Sequence, residues 1–580
     1  MVSITVDAFA DGHDLLAGVL KYRWTGPPSQ MPRTAESGAL WTEVPLASAG
    51  NDSWSASFTV TELGEYEYTV EAWIDRFGTW QRDLQAKTAA GQDVSSHLLE
   101  CPDSAPDRSA STTYDRILRV TVDPVRARFS AWYEMFPRSC TSDPRRSGTF
   151  REAETRLPDI AAMGFDVLYL PPVHPIGRTH RKGRNNSLTS GPDDPGSPWA
   201  IGAEAGGHLA IEPGLGTLQD FDRFVETAAR VGLAVALDIA FQASPVHPWV
   251  AEHPEWFKHG PDGSIKYAEN PPKKYQDIYP FDFESRDARG LWEALRDVFL
   301  FWIDHGVTIF RVDNPHTKPF RFWEWCIAEV KARHPETIFL SEAFTRPKLM
   351  QYLAKAGFTQ SYTYFTWRNT ADELRQYLTE LTHAEPAEYL RPNFFANTPD
   401  ILHEYLQHGG RPAFEVRLIL AATLSASYGI YSGFELCENV AVRPGSEEYL
   451  DSEKYEIKPR DWNQPGHLKE LIAQVNAIRR AHPALQHNTT LRFLPGDNPS
   501  LLWFTKTSPD DVVFVVANTT PAYLQHGWVE LPIEALGIAP HESYVVEDLL
   551  DESTYVWRGA WNYVRLDPAE RMAHVFVVRR

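Results

Sequence analysis

The chain has 580 residues, 43% hydrophobic and 23% charged, the make-up of an ordinary soluble globular protein of about three domains. Its net charge of −21 argues against a nucleic-acid or anionic-membrane partner and for a neutral or small polar substrate. No apolar run approaches ~18 residues and the N-terminus lacks a signal-peptide pattern, so no membrane association and a cytoplasmic location are expected.

Residues 1–100 alternate apolar and polar positions in short runs separated by Gly, Pro and Asp, the pattern of an Ig-like β-sandwich. Residues 101–124 are polar and Pro-containing and read as a linker. From 125 to 487 the rhythm changes to apolar strands alternating with helix patterns. Eight candidate strands fall at 129–134, 167–170, 234–239, 308–312, 338–341, 360–364, 393–396 and 428–432, with helical patterns such as 218–231, 291–305 and 320–333 between them. Eight parallel strands imply a central (β/α)8 TIM barrel. Two long insertions, 171–216 and 242–284, are of a length that is usually functional. From 488 to 580 the pattern is all-β again, a C-terminal β-sandwich. Four scattered cysteines and no histidine array give no disulfide framework and no metal site, and no cofactor motif is present.

Three strand-like runs end in acids. Residues two apart in a strand point the same way, so Arg311 and Asp313 sit side by side at the end of 308–312, the face where barrel chemistry occurs. Glu342 ends the next run, and Asp400 follows 393–396. Two such carboxylates suit a retaining glycosyl transfer. Asp313, kept ionised by Arg311 beside it, suits the nucleophile. Glu342, following Ser341 and no cation, suits the proton donor, and Asp400 a stabiliser of the charged ring. Singly, each acid is better explained as a loop charge; the set at strand ends is not. Lys182, in a cationic loop at 177–186, and Lys273 and Tyr275, in a second at 270–275, could hold a phosphate, although a solvated loop is the usual meaning of either cluster alone. Asp238 reads as a prop of the barrel rim and Gln242 as a neutral donor in the pocket.

The segments AWYEMFPRS (131–139), LPPVHPIGRTHRKGRNN (170–186), GSPWAIG (196–202), FRVDNPHTKP (310–319) and ANTPD (396–400), with the 270–280 loop, resemble the α-amylase superfamily. More closely, they resemble the α-1,4-glucan:maltose-1-phosphate maltosyltransferases. The resemblance implies Asp313 as nucleophile, Glu342 as general acid/base and Asp400 as transition-state stabiliser. It places Lys182, Gln242, Asn270, Lys273, Tyr275 and Asn314 around the donor. The implied partners are maltose 1-phosphate and α-1,4-glucan acceptors. Gln242-Ala243 and Thr398-Pro399 replace the Asn-His pair and the histidine usual in amylases, so no structural calcium is expected. The family's helical insert after the segment like 90–100 is missing, and since that insert contributes to the dimer in relatives, a homodimer is left open. The alternatives are a related retaining α-glucan hydrolase or trehalose-forming isomerase and, in another class, a non-catalytic α-glucan-binding protein.

Overall fold

The computed structural model describes residues 1–26, 41–270 and 273–579, without the side chains of Asn270 and Lys273. The chain divides into two units, residues 1–124 with 331–336, and residues 125–330 with 337–580.

In the first unit, strands Val2–Asp7, Ser53–Phe58 and Ala47–Gly50 form one antiparallel sheet, and Thr42–Pro45, Leu16–Trp24, Gly64–Ile74 and Thr112–Thr113 another. Leu20, Phe58 and Tyr66 are buried among their apolar neighbours. Two features differ from the sequence expectation. A helix, Arg76–Ala89, follows the strands: Asp75 caps it by accepting from the Gly78 N–H at 2.8 Å, and the Trp80 indole donates to His97 O in the short helix Ser95–Leu99. Within 101–124, expected as a linker, Leu118–Val122 pairs antiparallel with Gly64–Tyr68, which satisfies backbone groups that would otherwise form an open sheet edge.

The second unit is built on eight parallel strands: β1 (Ser130–Glu134), β2 (Val167–Leu170), β3 (Ala234–Ile239), β4 (Ile309–Val312), β5 (Ile338–Ser341), β6 (Gln360–Ser361), β7 (Asn393–Phe395) and β8 (Ser427–Tyr431). The order runs β6-β5-β4-β3-β2-β1-β8-β7, and a parallel bridge from Ser361 to Pro392 joins β6 to the start of β7. Alternation of side chains decides what each strand residue touches. One set (Trp132, Val167, Tyr169, Ala236, Ile309, Ile338, Leu340, Tyr362 and Phe395) fills the barrel interior. The other set, including Leu168, Val235, Leu237, Phe310 and Phe339, packs under the surrounding helices. Among those helices, Leu218–Arg230 and Ala371–His383 start at reciprocal capping boxes, Thr217 with Asp220 and Thr370 with Glu373. Following the inner set up β1, β3, β4 and β5 leads to Glu134, Asp238, Arg311, Asp313 and Glu342.

The C-terminal strands split their alternation between two cores. Leu501, Trp503, Phe514 and Val516 face a core shared with Val529, Val564 and Leu566. Leu502, Phe504, Val513 and Val515 join the core around the barrel. Cys101, Cys140, Cys326 and Cys437 are all unpaired. No helix among the described residues is long and apolar enough to cross a membrane.

Candidate active site

Register assembles the centre of the site. In the parallel β4–β5 pair, Val312 lies level with Ser341, so the next residues, Asp313 and Glu342, emerge level at the barrel rim. In the β3–β4 pair, Asp238 lies level with Arg311. The Arg311 guanidinium therefore stands among three carboxylates. Its Nη1 is 2.8 Å from Asp238 Oδ2 and 3.1 Å from Asp313 Oδ1, and its Nη2 is 2.5 Å from Glu342 Oε1. All four side chains are buried, and Asp313 and Glu342 are each only 7% exposed. The expectation that Glu342 has no cation beside it is thus corrected: the register brings Arg311 between the two acids, and one planar fork serves both.

Electrostatics nevertheless favour the protonated form of Glu342. Burial pushes its carboxyl well above the ordinary range; Arg311 opposes this, while Asp313, Asp400 and Asp238 reinforce it. Several acids share one guanidinium, so they cannot all be ionised at little cost. Asp238 is pushed up to about 6, chiefly by burial, against the pull of Arg311. It accepts from Tyr169 Oη at 2.7 Å and Trp199 Nε1 at 3.1 Å, which fix it as the prop of the rim. Glu134, at the end of β1, is raised well above its ordinary value by burial, and its Oε2 has no hydrogen-bond partner.

After β4 the backbone turns sharply. Asn314 is in the left-handed region with φ 42°, a conformation asparagine tolerates better than most residues. Its N–H faces Glu342 Oε2 at 3.4 Å, and the residue is exposed. Lys318 closes the turn by donating to the carbonyls of Asp313 and Asn314 at 3.3 and 3.2 Å.

Asp400 belongs to the loop after β7, which Asn397 pins by donating to Tyr449 Oη and accepting from the Tyr431 N–H. Asp400 pairs with the Lys454 ammonium, which is 2.8 Å from Glu448 on its other side. Tyr455, beside that lysine, is pushed up to about 12 by burial first, with Glu448, Asp400 and Asp277 adding to the rise and Lys454 opposing it. Asp277 in turn feels Lys182 and His180, which counter part of its burial. Fields of these groups thus connect the acids to the two long loops. Lys182 is buried, at 5% exposure. Gln242 donates to Trp199 O at 3.0 Å, one residue contact from Asp238. Tyr275 is half-buried on a short strand, Lys273–Tyr275, paired with Ala268–Asn270. The side chains of Asn270 and Lys273 lie outside the described residues.

Lys454, Glu448 and Glu134 escaped sequence reasoning. Lys454 lies 54 positions from Asp400 in a loop without strand or helix pattern, so no periodicity ties the two. Glu134 had a usable signal: it ends β1 two residues after the inward-facing Trp132, just as Asp313, immediately after β4, follows Arg311 by two.

Comparison with known proteins adds an independent line. Residues 1–128 match the family model "Alpha-1,4-glucan:maltose-1-phosphate maltosyltransferase, domain N/S", and residues 493–578 match "GLGE, C-terminal". The chain is 49% identical over 632 aligned positions to the α-1,4-glucan:maltose-1-phosphate maltosyltransferase of Chlorobaculum tepidum, covering 100% of this chain and 92% of that protein. It is 50% identical over 631 positions to maltosyltransferase 2 of Streptomyces coelicolor, covering 100% and 92%. Both alignments are longer than the chain itself, so these relatives carry residues that it lacks. In fold, it is similar to the maltogenic α-amylase AmyB of Thermotoga neapolitana, with a TM-score of 0.60 and 19% identity over 79% of this chain and 100% of that one. Near-half identity along the entire length, to full-length relatives of one kind, is decisive: the chain belongs to the α-1,4-glucan:maltose-1-phosphate maltosyltransferase family.

Proposed function

We propose that this protein is a cytoplasmic retaining transferase that moves a maltosyl unit from α-maltose 1-phosphate to the non-reducing end of an α-1,4-glucan. The observation that carries this reading is the Arg311 fork holding Asp313 and Glu342 at one barrel rim. In the first half-reaction an Asp313 oxygen attacks C1 of the maltosyl group and the C1–O bond to phosphate breaks. The proton of Glu342 passes to the departing phosphate oxygen. In the second, the Glu342 carboxylate takes the proton of the acceptor's 4-hydroxyl, whose oxygen attacks C1 and frees Asp313. Two inversions give net retention. Asp400 supports positive charge on the ring once sugar hydroxyls draw it from Lys454, and Lys182 with Tyr275 cradles the phosphate.

Incubation with maltose 1-phosphate and maltohexaose tests the proposal. Phosphate should appear only when the acceptor is present, and products should lengthen in steps of two glucose units. Free maltose released from starch, without donor consumption, would instead make the protein a hydrolase.

Glu342 must carry a proton when the donor binds, so the raised carboxyl has a kinetic signature. As pH rises through its pKa, kcat/KM for the donor should fall, and this basic limb should lie well above the ordinary carboxylate value of 4.5. A pH–rate profile with its descending limb near that value removes Glu342 from the acid role.

Lys182→Ala should lower kcat/KM for maltose 1-phosphate about 10²-fold, the scale of losing one charged contact to a developing anion. The KM for maltohexaose should change by no more than about twofold. Equal effects on donor and acceptor would return the loop to a structural role.

A further inference from the structure

The 242–284 insertion carries a cluster of ligating side chains that includes none of the rim acids. His253 and Glu255 lie where the short helix Pro248–Glu252 passes into the 3-10 turn Pro254–Trp256, and Asp287 caps the helix Ala288–Asp304. One ligand atom of each lies within 4.8 Å of the other two. His253 Nδ1 stands 3.6 Å from Glu255 Oε1, too far for a hydrogen bond. Among the described residues neither side chain has a hydrogen-bond partner, although that of Glu255 is only 21% exposed.

The cluster is held in shape by one indole. The His253 ring stacks on Trp256, with centroids 3.8 Å apart and planes 7° from parallel. Trp256 is buried, packs edge-on against Trp249, and donates its indole N–H to Asp287 Oδ2 at 3.0 Å. Asp287 Oδ1 accepts from the Gly290 N–H at 3.2 Å. Each carboxylate oxygen has two lone pairs, so both keep one free after capping the helix.

A helix cap accounts for Asp287, and a ring stack accounts for His253. Neither accounts for Glu255, a mostly buried carboxylate brought up to an imidazole and left short of bonding it. Buried polar groups find partners, and an ion is one way of supplying them. The donor set selects the ion. An imidazole with carboxylates suits zinc, whereas calcium and magnesium take oxygen ligands. With bonds of about 2.0–2.2 Å, two ligand atoms on a tetrahedral zinc ion stand about 3.4 Å apart. That is close to the 3.6 Å between His253 and Glu255. Two of the ligands are two positions apart and the third lies 32 further along, so no array in the sequence announces them.

We propose that His253, Glu255 and Asp287 bind a zinc ion that clamps the 242–284 insertion to the first turn of the helix Ala288–Asp304. The ion is structural and takes no part in maltosyl transfer. It stiffens the insertion that also carries Gln242 and Tyr275.

The test titrates zinc chloride into the full chain, freed of metal by a chelator, and follows the heat of binding. The parent should take up one zinc ion that His253→Ala and Glu255→Gln variants bind at least about tenfold more weakly, since groups that merely orient a ligand are already worth about 10–100-fold. An excess of calcium or magnesium should leave that ion in place. Without metal, both variants should melt with the parent, which shows that they fold. Saturating zinc should then raise the melting temperature of the parent by a few degrees and leave the variants unmoved. Tryptic cleavage after the exposed Lys258, two residues beyond Trp256, should slow with zinc in the parent alone. Equal zinc binding by the parent and both variants overturns the proposal, as does a parent whose melting and cleavage zinc does not change. Displacement by calcium overturns the choice of ion.

Discussion

Asp313→Ala is expected to lower turnover with maltose 1-phosphate and maltohexaose at least about 10³-fold, equivalent to about 4 kcal/mol of transition-state stabilisation. In the proposed mechanism this carboxylate supplies the oxygen of the glycosyl ester, and neither neighbouring acid is placed to replace it. Burial and the other acids push the Glu342 carboxyl well above its ordinary range, which makes it a poor nucleophile, and Asp238 is fixed below the rim by Tyr169, Trp199 and Arg311. Folding should survive, because Arg311 keeps Asp238 and Glu342 as partners. Glycogen retention should also survive, which separates loss of chemistry from loss of glucan binding. A variant that turns over like the parent would remove Asp313 as the nucleophile.

Arg311→Met is expected to be the most destabilising single change near the site. It leaves Asp238, Asp313 and Glu342 buried without their shared cation, a loss of about 3–5 kcal/mol for breaking a buried ion pair from one side. The pH dependence has a definite sign. Asp238 already sits near 6 with the arginine present, and without it the carboxyls of Asp238 and Glu342 rise further above their unfolded values. A folded state that holds protons which the unfolded state releases becomes less stable as pH rises. The deficit against the parent should therefore be largest at neutral and alkaline pH and shrink toward pH values of about 4–5, where the unfolded carboxyls also protonate. Denaturant midpoints at acid and neutral pH measure it. Equal midpoints for variant and parent at both would mean that the fork does not hold the rim together.

The barrel was legible in the sequence because its signals are local. Eight apolar runs mark the strands, and the period of two puts Arg311 and Asp313 on one face without reference to any other strand. A helical stretch between them accounts for the distance from Asp313 to Glu342. The helix Arg76–Ala89 was missed inside a region read as strands, although Asp75 offers a cap; none of its residues is buried, so no strong apolar stripe announces it. The strand Leu118–Val122 was missed although Leu118, Val120 and Val122 alternate with Arg119 and Thr121, because it is short, follows a polar Pro-containing stretch and pairs with an edge supplied by residues some fifty positions earlier.

By itself the sequence determined the (β/α)8 rhythm, the flanking sheet domains, the three acids and the inward direction of Arg311 and Asp313, since strand period and strand ends are properties of consecutive residues. Only the tertiary structure decided that the same guanidinium reaches Glu342, that Lys454 stands against Asp400, and that Glu134 and Asp238 lie beneath them. Those contacts depend on the register between parallel strands and on where distant loops fold back. Neither is encoded in the spacing of neighbours, and together they set which carboxyl keeps its proton.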